Sequence, residues 1–221
     1  MRQLFIGLTA EGTTDIRFLK NVIAKSIQEL SWRCKQQVEI FDIREIHSKG
    51  DSFVEKMLAA SQQASQQGVS ILCVHTDSDD RSIDTVINNK FTPFFSVLEK
   101  MSEGEYCKHI IPTIPIQMIE SWMLADKTLL KQLINAKKSS DKDLGIEKSP
   151  EQYADPKSVI ENAIRKALSG ESLKKRNQIG IEDLYEVLGN RLSLESLRTI
   201  PSFVQFEKNV IKVFTEMGLM R

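Results

Sequence analysis

The stretch Val69–Asp80, VSILCVHTDSDD, decides the fold class of this chain. Its first part, Val69–Val74, is a short continuous apolar run, which is typical of a strand buried on both faces of a parallel sheet. The run leads directly into His75 and an acidic turn that contains Asp77 and Asp79. In open α/β sheets, ligands bind outside the carboxyl ends of the parallel strands, so this turn is a candidate site.

Strand-like and helix-like segments alternate on both sides of this run. We predict further strands over Leu4–Leu8, Val38–Ile46 and His109–Pro115. Segments with apolar residues at helical spacing lie between and after them. The predicted helices are residues 13–30, 51–67, 83–101 and 118–134. This order predicts an α/β fold with a parallel sheet of about four strands flanked by helices.

The last third of the chain has a different character. Residues 136–155 are rich in Lys, Ser and Asp and predict an exposed loop. Three more helices are predicted over residues 156–168, 181–192 and 201–217, with a basic loop at 170–180. We therefore expect an α/β core over residues 1–136. A polar loop and a helical C-terminal extension, residues 137–221, would pack on that core.

Composition and charge exclude several classes of protein. Of the 221 residues, 41% are hydrophobic and 27% charged, a balance that excludes a disordered chain. Thirty basic and thirty acidic residues give a net charge of zero, so nucleic-acid binding would need a local basic patch. Three isolated cysteines exclude a disulfide scaffold and a structural zinc site. With no signal peptide and no long apolar segment, we expect a cytoplasmic protein without a membrane anchor.

Four acidic residues lie at predicted strand ends or helix starts: Glu11, Asp77, Asp79 and Glu120. In extended backbone, the carboxylates of Asp77 and Asp79 would point to the same side and repel each other without a cation. Mg²⁺ binds through one or two carboxylates together with waters and substrate phosphates. Glu11 would add a ligand or act as a general base. The alternative is a solvated turn, because Asp and Ser, the residues of the sequence DSDD, are common in turns.

Two further kinds of residue carry open alternatives. His75 is either a ligand or proton donor, or a buried, hydrogen-bonded strand residue. Lys174 and Lys175 belong either to a solvated loop or to a phosphate-binding contact.

Three segments together resemble the TOPRIM fold: EGTTDIRFL (residues 11–19), HTDSDD (75–80) and IPIQMIESWMLAD (114–126). More closely, they resemble an uncharacterised bacterial TOPRIM-like family, a domain of unknown function related to OLD-type TOPRIM nucleases. ADPKSVIENAI (154–164) and IPSFVQFEKNV (200–210) are similar to later segments of that family. The resemblance implies a TOPRIM-like, Rossmann-like sheet and a metal-dependent phosphoryl-transfer centre that acts on nucleic acid.

The same resemblance implies a role for each acidic residue. Glu11 matches the strand-one glutamate, a general acid/base or metal ligand. Asp77 and Asp79 match the metal-binding aspartate pair, and Glu120 matches the helix glutamate, an extra metal ligand. Where the family has a second glutamate in its opening motif, this chain has Asp15, whose side chain is one methylene shorter.

These observations predict a nuclease that depends on Mg²⁺ or Mn²⁺ and hydrolyses DNA or RNA. Glu11, Asp77 and Asp79 would be catalytic, and Lys174 and Lys175 would hold the substrate. The relatives suggest a phage-defence or mobile-element system. Two alternatives stay open: a non-catalytic interaction or regulatory subunit that partners an ATPase, and a metal-dependent phosphatase or nucleotide-processing enzyme.

Overall fold

A computed structural model of the chain describes residues 1–170 and 179–221. A four-stranded parallel sheet lies at its centre, in the order β4-β2-β5-β6, and a parallel pair, β1-β3, continues from it. The strands are β1 (Arg2–Leu4), β2 (Ile6–Thr9), β3 (Val38–Ile40), β4 (Arg44–Glu45), β5 (Ile71–His75) and β6 (Ile110–Thr113). The predicted α/β class, with parallel strands flanked by helices, is confirmed, and the architecture is Rossmann-like.

Helices cover both faces of the sheet and make up most of the second half of the described chain. They are α1 (Thr13–Ser31), α2 (Phe53–Gln66), α3 (Asp84–Val86), α4 (Thr92–Leu98), α5 (Glu120–Met123), α6 (Lys127–Leu133), α7 (Asp141–Leu144), α8 (Pro156–Ala167), α9 (Leu184–Arg191), α10 (Leu194–Leu197) and α11 (Pro201–Glu216). A π-helical turn, Ile87–Phe91, joins α3 to α4, and two 3₁₀ turns lie at Pro150–Gln152 and Ile181–Asp183. None of the helices described here has the length and apolar character needed to cross a membrane.

Strand β5 is buried along its whole length, and its residues alternate between two apolar clusters. Leu72 and Val74 pack with α2 and α4, whereas Ile71 and Cys73 pack on the other face with α1 and the C-terminal helices. Alternate side chains of a strand point to opposite faces of the sheet, so one apolar run supplies both layers of the core.

The predicted single strand over residues 38–46 was wrong. The chain forms two short strands in two different sheets, β3 and β4, with three residues between them. Phe5, which separates β1 from β2, stacks on Phe41 with ring centroids 4.6 Å apart. The two strand breaks thus coincide in space, where the chain passes from one sheet to the other.

Three helix and loop predictions also need correction. The predicted helix over residues 118–134 is two helices, because Asp126 has an extended backbone and its side chain accepts a hydrogen bond from Leu129 N at 2.9 Å. The predicted helix over residues 83–101 is interrupted by the π-helical turn. The predicted exposed loop over residues 136–155 contains α7 and a 3₁₀ turn, and part of it is buried. The buried residues there are Ala136, Leu144, Ile146 and Tyr153.

The C-terminal helices share the apolar core of the sheet. The indole N–H of Trp122 donates to Ser202 Oγ at 2.7 Å, and the Trp122 ring lies edge-on to Phe203. Asn209 Nδ2 donates to the carbonyl oxygen of Pro112 at 3.0 Å, which fastens α11 to the edge strand β6. The extension therefore packs on the sheet, while the boundary at residue 136 stays a prediction.

Candidate acidic site at the strand ends

The acidic residues converge at the carboxyl ends of three adjacent strands, β2, β5 and β6. Glu11 follows β2, Asp77 follows β5, and Glu120 begins α5 beyond β6. Asp15 joins them from the first turn of α1. Parallel neighbours end at the same edge of a sheet, which is why residues 65 or more positions apart in sequence meet here.

His75 is the last residue of β5, is 2% exposed, and forms the floor of the site. Its Nδ1 lies 3.2 Å from the carbonyl oxygen of Thr113. A carbonyl oxygen only accepts hydrogen bonds, so Nδ1 carries a proton and Nε2 faces the acids. Nε2 lies 3.6 Å from both Asp15 Oδ2 and Asp77 Oδ1, longer than a hydrogen bond, and has no hydrogen-bond partner among the described residues.

The ring is therefore held between two carboxylates. Burial lowers the pKa of His75, but the carboxylates of Asp15 and Asp77 outweigh it, and the pKa is raised above its ordinary value. Without a proton on Nε2 or on one acid, three lone-pair-bearing atoms would face each other in a buried space. We infer that this trio shares at least one proton while no other cation is present.

Asp77 is the residue of the cluster whose charged form is least favourable. Burial is the largest cause that raises the pKa of its carboxyl, and the negative charges of Asp15, Glu120 and Glu11 add to it. Against the attraction of His75, these effects together raise the pKa to about 7. Oδ1 of Asp77 is buried without a hydrogen-bond partner within the described chain. An unpaired buried carboxylate oxygen costs free energy, and a proton or a cation would relieve that cost.

Asp15 caps the first turn of α1 and faces the histidine of the site. Its Oδ2 accepts the backbone N–H of Gly12 at 2.9 Å, which caps the start of α1. Burial raises the pKa of Asp15, but the facing His75 ring and hydrogen bonds from Gly12 and Thr14 lower it more, so the pKa of the carboxyl lies below its ordinary value. The short side chain thus faces His75.

Glu11 stands at the rim of the site, held by residues that sequence reasoning missed. The hydroxyl of Thr76 donates to Glu11 Oε1 at 2.6 Å. The Lys90 ammonium donates to the same hydroxyl at 2.7 Å and lies 3.8 Å from Glu11 Oε1. Lys90 lies 14 residues beyond Thr76, on the π-helical segment, and no pattern in the sequence points to it as a site residue.

The two aspartates of the turn do not lie on one extended strand. Strand β5 ends at His75, and Asp79 has a left-handed backbone with φ of 52°. The N–H of Asp79 donates to Gln117 O at 2.9 Å, and its side chain is exposed. The alternation used to place Asp77 and Asp79 on one side was therefore wrong. The role of Asp79 as a metal ligand stays a prediction.

Glu120 is 5% exposed and is held by a residue from the C-terminal extension. The hydroxyl of Tyr185, on α9, donates to Glu120 Oε1, and burial together with this acceptor raises the pKa of the tyrosine. Glu120 begins the short helix α5, which spans only Glu120–Met123, so the helix dipole there is weak. Tyr185 is a second site residue that sequence reasoning missed.

The site offers part of a metal-binding set. Over residues 1–170 and 179–221, no three His, Cys, Asp or Glu side chains form a ready metal cluster. The unpartnered Asp77 oxygen among other carboxylates nevertheless suits a hard cation. Mg²⁺ commonly takes few protein ligands and completes its shell with water and phosphate oxygens. The predicted substrate-binding residues Lys174 and Lys175 lie outside the described residues.

Comparison with known proteins gives one finding. A family model described as a domain of unknown function (DUF4276) matches residues 10–210. That range includes every site residue named above. No curated protein and no solved structure matches the chain.

Proposed function

Since the chain belongs to the DUF4276 family, a domain of unknown function, we propose its activity from the site itself: a divalent-metal-dependent nuclease. One observation carries the proposal. The buried, unpartnered Asp77 Oδ1 lies among the carboxylates of Glu11, Asp15 and Glu120 at the ends of parallel strands. Clustered carboxylates with a pKa raised to about 7 are a common mark of functional sites.

The choice of substrate depends on the TOPRIM-like resemblance of the segments at residues 11–19, 75–80 and 114–126. TOPRIM domains with this set of acids act on phosphodiester bonds, and the strand-end position of the acids fits such a role. DNA or RNA is therefore the proposed substrate. The ATPase partner and the phage-defence or mobile-element setting are proposals on the same basis.

Mg²⁺ or Mn²⁺ would be held by Asp77, with Glu11, Asp79 and Glu120 as the other candidate ligands. When bound, such an ion makes a coordinated water more acidic and stabilises negative charge on the scissile phosphate. The four carboxylates draw the cation, and the protonated Nδ1 of His75 fixes the ring that faces Asp77.

Glu11 is the side chain best placed to take a proton from the attacking water. It is 52% exposed, so solvent reaches it, and its Oε1 is held by Thr76 at 2.6 Å. A general base must lie within hydrogen-bond reach of the proton that it removes, and a fixed, accessible carboxylate meets that condition. Asp15 and His75 are more deeply placed and act on the position of Asp77.

The test is cleavage by the Asp77→Ala variant. Plasmid DNA, single-stranded DNA and RNA are incubated with Mg²⁺, with Mn²⁺, or with EDTA. We expect wild-type cleavage to need the metal, and Asp77→Ala to lose at least about a hundredfold in rate, as for removal of a charge-stabilising group. The exposed Asp42→Ala variant, which changes the net charge equally, should keep wild-type activity.

Two results would count against the nuclease. Cleavage retained by a folded Asp77→Ala variant would remove this site from the reaction. If the wild-type protein neither binds Mn²⁺ in calorimetry nor cleaves any of the three substrates, the proposal fails. Nucleotides and phosphomonoesters are tested in parallel, and turnover of these alone would favour the phosphatase alternative.

A further inference from the structure

Lys90 brings a positive charge to the edge of the acidic site. It lies in the π-helical turn Ile87–Phe91, where Thr92 N donates to Ile87 O, five residues earlier. Such turns insert a residue into a helix and often occur at functional sites. The Lys90 ammonium lies 5.8 Å from the centre of the Phe53 ring, which limits where the side chain can go.

The Lys90 ammonium makes few direct contacts with its neighbours. Within residues 1–170 and 179–221 it donates one hydrogen bond, to Thr76 Oγ1 at 2.7 Å, and it lies 3.8 Å from Glu11 Oε1 without a direct hydrogen bond. The side chain is 34% exposed, so one side of the charge faces solvent at the rim of the site. An ammonium has three donors, and two of them are left for a ligand or for water.

The negative charge of the site gives a reason for a lysine at its edge. The acids of the site repel a phosphodiester, and the chain as a whole has a net charge of zero, so it does not attract polyanions from a distance. A nucleic acid can approach only where local cations offset the acids. Deeper in the site, His75 Nε2 is buried and has no hydrogen-bond partner in the part of the chain that the structure describes, as in a site that is completed by a ligand.

We propose that Lys90 is the phosphate-binding residue of this site. In the ligand-free protein its ammonium stands beside Glu11, and on binding of nucleic acid it donates to a non-bridging oxygen of the phosphate. The inference rests on the proposed function and assigns the substrate contact to a residue outside the acidic turn.

The proposal predicts effects of opposite sign for two ligands. With metal alone, Lys90 is a nearby cation that competes for Glu11, so its removal should strengthen binding. With nucleic acid, Lys90 supplies a contact, so its removal should weaken binding. A lysine that only stabilises the fold would shift both affinities in the same direction or leave both unchanged.

The experiment compares Lys90→Met, Lys90→Arg and the control Lys100→Met, in which an exposed lysine just beyond α4 is removed. Calorimetry measures Mn²⁺ binding in the absence of nucleic acid. Fluorescence anisotropy measures binding of short labelled DNA and RNA, with Ca²⁺ in place of Mn²⁺, over a range of salt concentrations. Thermal unfolding checks that each variant is folded.

We expect Lys90→Met to bind Mn²⁺ about threefold more tightly, because one competing positive charge is gone. It should bind nucleic acid about tenfold more weakly, as for loss of a hydrogen bond to a charged group. The slope of log affinity against log salt should fall by about one, the signature of a lost phosphate contact. Lys90→Arg should restore nucleic-acid binding, and Lys100→Met should match wild type.

The results separate the two proposals. If wild type binds Mn²⁺ and nucleic acid but Lys90→Met has the same affinities and salt slope, the Lys90 inference is wrong and the nuclease proposal stands. If wild type binds neither ligand, both are wrong. Equal losses in Lys90→Met and Lys100→Met would show a general effect of charge, which also contradicts the inference.

Discussion

The carboxylates of Glu207, which is buried, and Asp77, which is half-buried, have opposite surroundings in this molecule. Glu207 on α11 accepts two hydrogen bonds from the Arg198 guanidinium, both of 2.8 Å, and a third from Ser26 Oγ at 3.0 Å. Asp77 has Oδ1 unpartnered and three other acids nearby. One carboxylate is fully neutralised, whereas the other is placed where its own charge is disfavoured.

This difference distinguishes a carboxylate that stabilises the fold from one that is available to a ligand. In the Glu207–Arg198 ion pair both carboxylate oxygens accept hydrogen bonds, and the pair links α1, α11 and the end of α10. A carboxylate whose charged form is unfavourable gains most when a cation arrives. Perturbed acids that packing does not explain are therefore the better guide to a site than buried acids in general.

The largest effect on stability is expected at Arg198. Arg198→Met would leave Glu207 buried without its counter-ion, and we expect the free energy of unfolding to fall by about 3 kcal/mol. Urea denaturation at neutral pH measures the change. Lys208→Met, which removes an exposed cation from the same helix, should change stability by less than about 0.5 kcal/mol. A loss at Arg198 no greater than at Lys208 would contradict the structural role.

Removal of the charge of Asp77 should increase the free energy of unfolding, whereas removal of Arg198 should lower it. Its folded-state pKa of about 7 lies above the ordinary 3.8, so the group favours the folded state at low pH. That contribution disappears as the pH rises from about 4 to about 7, because the unfolded chain ionises first. Asp77→Asn keeps the neutral form, so it should stabilise the protein by about 2 kcal/mol at pH 8 in EDTA.

The pH dependence supplies the control for that prediction. Below about pH 4 the carboxyl is protonated in both states, and the advantage of Asp77→Asn should vanish. Urea denaturation at acidic, neutral and alkaline pH compares the variant with wild type. A variant that is less stable than wild type at pH 8 would mean that Asp77 is a structural acid like Glu207.

Glu120 has a hydrogen-bond donor, Tyr185, and removal of that donor would make Glu120 resemble Asp77. Tyr185→Phe removes the hydroxyl that donates to Glu120 Oε1 and leaves a buried acceptor unsatisfied, which should cost about 1.5 kcal/mol of stability. Thermal unfolding measures the loss, and Tyr106→Phe serves as the matched control. If Glu120 is a metal ligand, added Mn²⁺ should recover part of the stability in Tyr185→Phe but not in a Tyr185→Phe/Asp77→Ala double variant.

The smallest effect is expected at Ser26. Ser26→Ala removes one hydrogen bond to the Glu207 carboxylate and leaves the two from Arg198 in place, so the loss should be about 1 kcal/mol. Urea denaturation measures it beside the Arg198→Met variant. A loss equal to that of Arg198→Met would show that the hydroxyl, and not the guanidinium, keeps Glu207 buried.

Local periodicity predicted the main elements well. Helix α1 was predicted over residues 13–30 and spans Thr13–Ser31, because its apolar face repeats at helical spacing without a break. The buried strand β5 was likewise predicted within two residues at its start and one at its end. Predictions failed where a side chain competes with the backbone. Asp126 starts a new helix in that way and divides the predicted one.

Long-range contacts explain the other failures. Polar composition suggested an exposed loop at residues 136–155, but Leu144 and Ile146 are buried against distant helices that a local pattern does not reveal. In the site, the strand-end rule found Glu11 and Asp77, whose neighbours in sequence point to them. Lys90 and Tyr185 enter from other elements, and only the folded chain brings them there.

The bond from Asn209 to Pro112 also affects how this protein meets other chains. Strand β6 lies at the edge of the sheet, where unpaired backbone groups invite another strand. Pro112 has no N–H to offer, and its carbonyl oxygen is already occupied by α11. The opposite edge is the two-residue strand β4. Both features discourage the four-stranded sheet from pairing edge to edge with another chain.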